Sequence, residues 1–206
     1  MQLIDLSARY DMVISLGGNC QTAYQLDKNK LRTFSGPLDW VTSYSVPGII
    51  KMLETRFEGY MDLSHMKVIG ANPYHYTVED HFSGCVSYHD FPINNEADPF
   101  ITYSEFKIKL NHRIDTFYDR LANTNSVLFI RLSANMHEAI NIRKALKTIV
   151  FVPFHLLIVN YTNLPYVLDK DWGLTGISNV EITEDIGRWQ GHDNSWEYLL
   201  KSIALK

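Results

Sequence analysis

Cysteine is scarce in this chain: Cys20 and Cys85 are the only two among 206 residues, too few for a disulfide framework and enough for one bridge at most. The nucleotide-binding patterns GxxxxGK(S/T) and GxGxxG are missing, and so are the CxxC and HExxH pairs of common zinc sites. His75, His81 and His89, with Asp80 and Asp90, follow no standard metal-ligand spacing, so neither a metal nor another cofactor is expected. No apolar run approaches the roughly 20 residues that cross a bilayer. The opening Met-Gln-Leu-Ile-Asp carries an early acid and no apolar core of signal-peptide length. A soluble, cytoplasmic protein with free thiols is the expectation. Blocks of like charge are also lacking: the net charge is −4 with the signs interspersed. That balance disfavours nucleic acid and anionic membranes as partners, because both reward a basic face. With no repeat, low-complexity tract or linker, residues 1–206 read as a single α/β domain.

What remains is ordinary globular composition, 46% hydrophobic and 20% charged, arranged in alternating elements. Met12 to Leu16 is a short apolar run stopped by Gly17-Gly18, the pattern of a buried strand. A helix follows from Cys20 through Leu26, with Asn19 as its N-cap. Val46 to Tyr60 predicts a helix with Pro47 in its first turn. Met66–Ile69, Tyr74–Val78 and Cys85–Tyr88 read as short strands, expected to form a hairpin at one edge. Phe106, Leu110, Ile114, Phe117 and Leu121 fall at three-and-four spacing and predict a helix over Tyr103–Leu121. Ser126–Arg131, His155–Val159 and Val180–Ile182 read as strands, His137–Ile149 and Trp196–Leu205 as helices. Apolar strands separated by helices imply a mostly parallel sheet covered on both faces, a three-layer sandwich of Rossmann-like or SGNH-like layout.

In open parallel sheets ligands bind beyond the carboxyl ends of the strands. The first strand delivers Gly17-Gly18-Asn19-Cys20 to that edge. There a helix N-terminus would favour the Cys20 thiolate, and Gly18, Asn19 and the nearby amides could face an oxyanion. The competing reading of Cys20 is a small buried hydrophobe, which is also the reading of Cys85 inside its strand. A cysteine nucleophile needs a base and a group to orient it. His89 at a strand end is the first candidate base, and His192-Asp193 before the last helix is the second pair. Asp90 adjoins His89, but neighbouring side chains on a continuous strand point to opposite faces. The loops Phe34–Trp40 and Gly187–Trp196 gather turn formers, acids and aromatics, either as site loops or as aromatic clasps. Asp39, Trp40 and Arg131 join the candidate site from these and the neighbouring strand.

The segments Val13–Ala23, Phe34-Ser-Gly-Pro-Leu-Asp-Trp40, His89-Asp-Phe91, Leu128–Arg131 and Trp189…Asp193…Trp196 resemble a bacterial family of unknown function described as papain-like cysteine peptidases. The match runs in order along nearly the whole chain. It implies Cys20 as nucleophile, His89 as base and Asp193 as orienting acid, with Asp39 as its substitute. It also implies a papain-like α+β fold as the alternative to the sandwich, and a peptide as substrate. The layout is similar, too, to SGNH (GDSL) hydrolases, in which Gly-x-Ser ends the first strand and an Asp and a His precede the last helix. Gly17 or Gly18 with Cys20, and Asp193, stand at the corresponding positions, with cysteine in place of serine. A non-catalytic glycan- or peptide-binding protein on such a scaffold is the rival expectation, with Trp40 and Trp189 as its aromatic platform.

Overall fold

The computed structural model describes residues 3–94 and 98–206. In chain order the strands and helices are β1 (Arg9–Tyr10), β2 (Met12–Ser15), α1 (Gln21–Lys28), β3 (Val41–Thr42), α2 (Val46–Glu54), β4 (Met66–Ala71), β5 (His75–Asp80), β6 (Cys85–Pro92), α3 (Tyr103–Ala122), β7 (Val127–Leu132), α4 (Met136–Leu146), β8 (Phe154–Thr162), β9 (Leu168–Asp169), β10 (Ile177–Thr183), α5 (Asp193–Leu200) and β11 (Ala204–Leu205). The protein is thus mixed α/β, with five helices and several sheets among the described residues.

The largest sheet runs β2-β7-β8-β10-β9, parallel except for the antiparallel edge strand β9. Its side chains alternate between two apolar clusters, as strand geometry requires. Val13, Leu128, Ile130, Leu157, Val159, Val180 and Ile182 share one cluster with Leu26 of α1 and Trp196, Leu199 and Leu200 of α5. Met12, Ile14, Val127, Phe129, Leu156 and Ile158 share the other with residues of α2, α3 and α4. Burial on both faces explains why β7 reads as an unbroken apolar run interrupted only by Arg131.

Three elements depart from the sequence reading. The helix at Val46 stops at Glu54, because Arg56 (φ 54°) and Phe57 (φ 64°) turn the backbone into the left-handed region. The last helix begins earlier, at Asp193, and ends at Leu200, after which Ala204-Leu205 pairs in parallel with Arg9-Tyr10. The strands between Met66 and Pro92 form no simple edge hairpin. They build a separate antiparallel sheet of order β3-β6-β5-β4. In that sheet Tyr76 pairs with Phe91 but Val78 pairs with Ser87. Tyr88, His89 and Asp90 therefore form a bulge opposite Thr77 alone, which breaks the alternation of side chains at that point.

Candidate functional site

Beyond β2 the backbone keeps pairing with β7 through Leu16 N–H to Ile130 O (2.8 Å) and Leu132 N–H to Gly17 O (3.0 Å). It then turns through Gly17 (φ 74°) and Gly18 (φ 114°). Glycine is required twice here. A Cβ on Gly17 would lie 2.6 Å from Ser43 Oγ, and one on Gly18 would lie 2.6 Å from both Cβ and O of Leu132. Ser43 staples the turn, accepting from Gly18 N–H (3.0 Å) and donating its own N–H to Gly18 O (2.9 Å).

Arg131 lies beneath this turn with no exposed surface. Its Nη1 donates to Leu16 O (3.0 Å) and Ser43 Oγ (2.8 Å), and its Nη2 donates to Ser43 O. Burial pulls its pKa down to about 10. Expected among the substrate-binding residues, Arg131 is fully buried and clamps the Gly-Gly turn through Leu16 and Ser43.

Cys20 is the N-cap of α1, a free and partly exposed thiol whose carbonyl accepts the helix's first bond, from Tyr24 N–H (3.1 Å). Asn19 Oδ1 accepts from Gln21 N–H (2.8 Å), so the asparagine performs the capping expected of it one position earlier. The resting electrostatics oppose the thiolate. Burial, and then the charges of Asp90 and Asp39, push the Cys20 thiol up from 9.0 to about 11. The favourable helix terminus anticipated from the sequence is outweighed.

Of the two carboxylates, Asp39 is buried in the Gly36–Trp40 turn. It accepts from Gly36 N–H (2.8 Å) and Arg32 Nε (2.9 Å) while burial pushes its carboxyl up. Arg32 also lies 5.3 Å over the Trp40 ring, which is how that half-buried tryptophan is held. Asp90 sits in the β6 bulge and accepts from Ser87 Oγ (2.6 Å). His89, beside it, is exposed, with its ring edge-on to His75 at 6.1 Å between centroids. Among the described residues no three His, Cys, Asp or Glu side chains are grouped as a metal site.

The late residues are engaged elsewhere. Asp193 accepts from Gln25 Nε2 (2.8 Å) and pairs with Lys28 (3.0 Å) and Arg188 (3.0 Å). Those contacts hold its carboxyl well below the usual range, the Gln25 hydrogen bond first. His192 Nδ1 lies 2.8 Å from Ser195 Oγ within the first turn of α5. Asp193 thus ties α5 and the loop residue Arg188 to α1, while the His192 contact stays within α5.

Gln21, next to the cysteine, is the hub of that attachment. Its Oε1 accepts from Tyr161 OH (3.0 Å) and from Nε1 of the fully buried Trp196 (3.2 Å), and its Nε2 donates to Trp189 O (3.2 Å). Gln21 and Gln25 were legible as polar residues four apart on a helix face that must be buried, a pattern not read as a site signal. A cleft of about 340 Å³ opens beside this hub at the carboxyl ends of β7, β8 and β10. Asn19, Tyr44, Ser133, Tyr161, Arg188 and Trp189 line it. Tyr44 (71%) and Trp189 (54%) stand exposed at its rim, whereas Trp196 is a clasp. Ser133 adopts φ 62° at the end of β7, the left-handed strain that recurs at functional edges.

Fold and junction together define a mixed α/β protein that presents a partly exposed cysteine at the carboxyl edge of a parallel sheet. The chain belongs to the family described as "Putative papain-like cysteine peptidase", whose profile matches residues 11–163. It is also similar to uncharacterized protein R408 of Acanthamoeba polyphaga mimivirus, at 30% identity over 135 residues. That similarity covers 58% of this chain and 60% of the viral protein, so the chain spans less than two thirds of its relative. No solved structure matches. Among the described residues, no helix is long and apolar enough to cross a membrane.

Proposed function

We propose that the protein is a cysteine hydrolase acting on peptide bonds or related acyl groups, with Cys20 as its nucleophile. The observation that carries this reading is the free, partly exposed Cys20 on the Gly17-Gly18 turn at the start of α1, whose chain neighbours Asn19 and Gln21 line the 340 Å³ cleft. Because the resting thiol is protonated, a base must take its proton as the substrate carbonyl is attacked. His89 is assigned that role. Its support is its place in the β6 bulge next to Asp90, whose charge reaches the thiol. The Cys20 Sγ–carbonyl carbon bond forms as the proton passes to His89. The oxyanion faces the first-turn amides of α1 and the Asn19 side chain. The proton then goes to the leaving amine, and water releases the acyl group.

Asp90 or Asp39 orients and balances the imidazolium in this scheme. Asp193 holds the cleft wall through Gln25 and Lys28. The scaffold is taken as a three-layer, SGNH-like sandwich. Four consecutive parallel strands with apolar clusters on both faces support that choice over a papain-like α+β arrangement.

Incubation with p-nitrophenyl acetate tests the reading. A burst of nitrophenol with a single acetyl group on Cys20, abolished in Cys20→Ser, is expected. An inert Cys20 would remove the hydrolase. The elevated thiol pKa and the exposed Tyr44 and Trp189 favour a second reading, a glycan- or peptide-binding cleft without turnover. Ligand binding that survives Cys20→Ser, with no acyl transfer in the native protein, would select it.

A further inference from the structure

At the opposite, amino ends of the parallel strands lies a cavity of about 480 Å³, lined by Arg9, Tyr10, Ser126, Arg143, Phe154 and Lys206 among others. A neighbouring hollow of about 200 Å³ shares Arg143 and adds Lys144 and Lys147. Among the described residues, no Asp or Glu lines either one, in a chain whose net charge is −4. Cations in the last turn of α4 complement the helix dipole, which accounts for Lys144 and Lys147. It does not account for Arg9 and Lys206, which arrive at the same cavity from β1 and from the residue after β11.

The cations are also under-used. Arg143 Nε is buried without a hydrogen-bond partner, and its guanidinium lies 5.3 Å from the Phe154 ring centroid. Among the described residues no carboxylate pairs with Arg9 or Arg143. Lys206 reaches Ser126 Oγ (3.1 Å) and, in an exposed pair, Asp11 (3.4 Å). Tyr10 OH lies 2.8 Å from His155 Nδ1. A neutral imidazole accepting that proton carries its own hydrogen on Nε2.

We propose that this cavity binds a small organic oxyanion, a phosphoryl or carboxylate group on an apolar body. Arg9 and Arg143 hold the charge, and Tyr10, Pro153 and Phe154 hold the body. Guanidinium groups suit either anion through paired N–H donors, and a volume of this size accommodates a small ligand.

Titration calorimetry of the full chain with phenyl phosphate, benzoate and inorganic phosphate tests the assignment. Phenyl phosphate or benzoate should bind, and whichever is tighter identifies the charged group. Arg9→Gln and Arg143→Gln should each weaken that binding about tenfold or more, a loss of about 1.4 kcal/mol. Cys20→Ser should bind as the native protein does, which separates this cavity from the cysteine site. Arg9 is the exposed residue of the two-residue strand β1, so Arg9→Gln keeps the test valid if Arg143→Gln destabilises α4. Binding of neither aromatic anion, binding unchanged in Arg9→Gln, or inorganic phosphate binding as tightly as phenyl phosphate would overturn the proposal.

Discussion

Replacing Gly18 with alanine strikes the junction that presents Cys20. Gly18 has φ 114°, a conformation costing a side-chain-bearing residue about 1–3 kcal/mol. The new Cβ would also stand 2.6 Å from the Leu132 carbonyl oxygen and 2.6 Å from its Cβ. Leu132 belongs to β7 and cannot swing aside, so overpacking adds about 1–3 kcal/mol. The sum, roughly 2–6 kcal/mol, corresponds to a fall in Tm of roughly 4–24 °C for a chain of this size. Gly173→Ala supplies the control. Gly173 is also left-handed, at φ 68°, but a Cβ added there would meet nothing within 4 Å. It should cost about 1 kcal/mol and a few degrees. Thermal unfolding followed by circular dichroism compares the two. If Gly18→Ala melts no lower than Gly173→Ala, the close packing of the turn on β7 is wrong.

Asp90→Asn should lower the Cys20 thiol pKa and raise its alkylation rate several-fold at pH 8, measured with iodoacetamide in a Cys85→Ala background. The same substitution should slow acyl transfer if Asp90 serves the imidazole, so the two assays should move in opposite directions. Gln21→Ala leaves Tyr161 OH and the Trp196 indole N–H without their acceptor, and urea unfolding should register a loss of about 1–3 kcal/mol. The Asp193 carboxyl is depressed in the folded state, so its stabilisation is present above the ordinary carboxylate pKa and is lost as pH falls below it. The difference in Tm between the native protein and Asp193→Asn should therefore be clear at pH 7 and shrink towards pH 3. A constant difference across that range would show that Asp193 acts by packing alone.

Long apolar periodicity carried the parts of the fold that were legible in the sequence. Phe106, Leu110, Phe117 and Leu121 announce α3 almost to the residue, and the apolar runs ending at Arg131 and Val159 announce β7 and β8. Short-range patterns said nothing of the β1–β11 pairing, because two-residue strands have no period to detect. The end of α2 depends on left-handed backbone at Arg56 and Phe57, residue types that do not advertise it. At the site, Gly17-Gly18 before Cys20 was readable because a buried strand needs a glycine turn to stop. The partners of Asp193 on α1 were not readable, since Lys28 and Gln25 lie more than 160 residues away. The bulge at Tyr88–Asp90 was equally hidden, and with it the strict alternation of side chains that disfavoured Asp90 no longer applies. Arg131 shows the converse difficulty: a charge in an apolar strand signals importance without revealing that it points under the site.

The most direct test of the Cys20–His89 assignment is the pH dependence of the p-nitrophenyl acetate burst, compared between the native protein and His89→Ala. With His89 as the base, a burst on Cys20 is expected near neutral pH, where a thiol with a pKa of about 11 is almost wholly protonated. In His89→Ala the burst should be lost until the pH approaches that value. Equal bursts in the two proteins would remove His89 as the base, and no burst in either would leave Cys20 without a catalytic role.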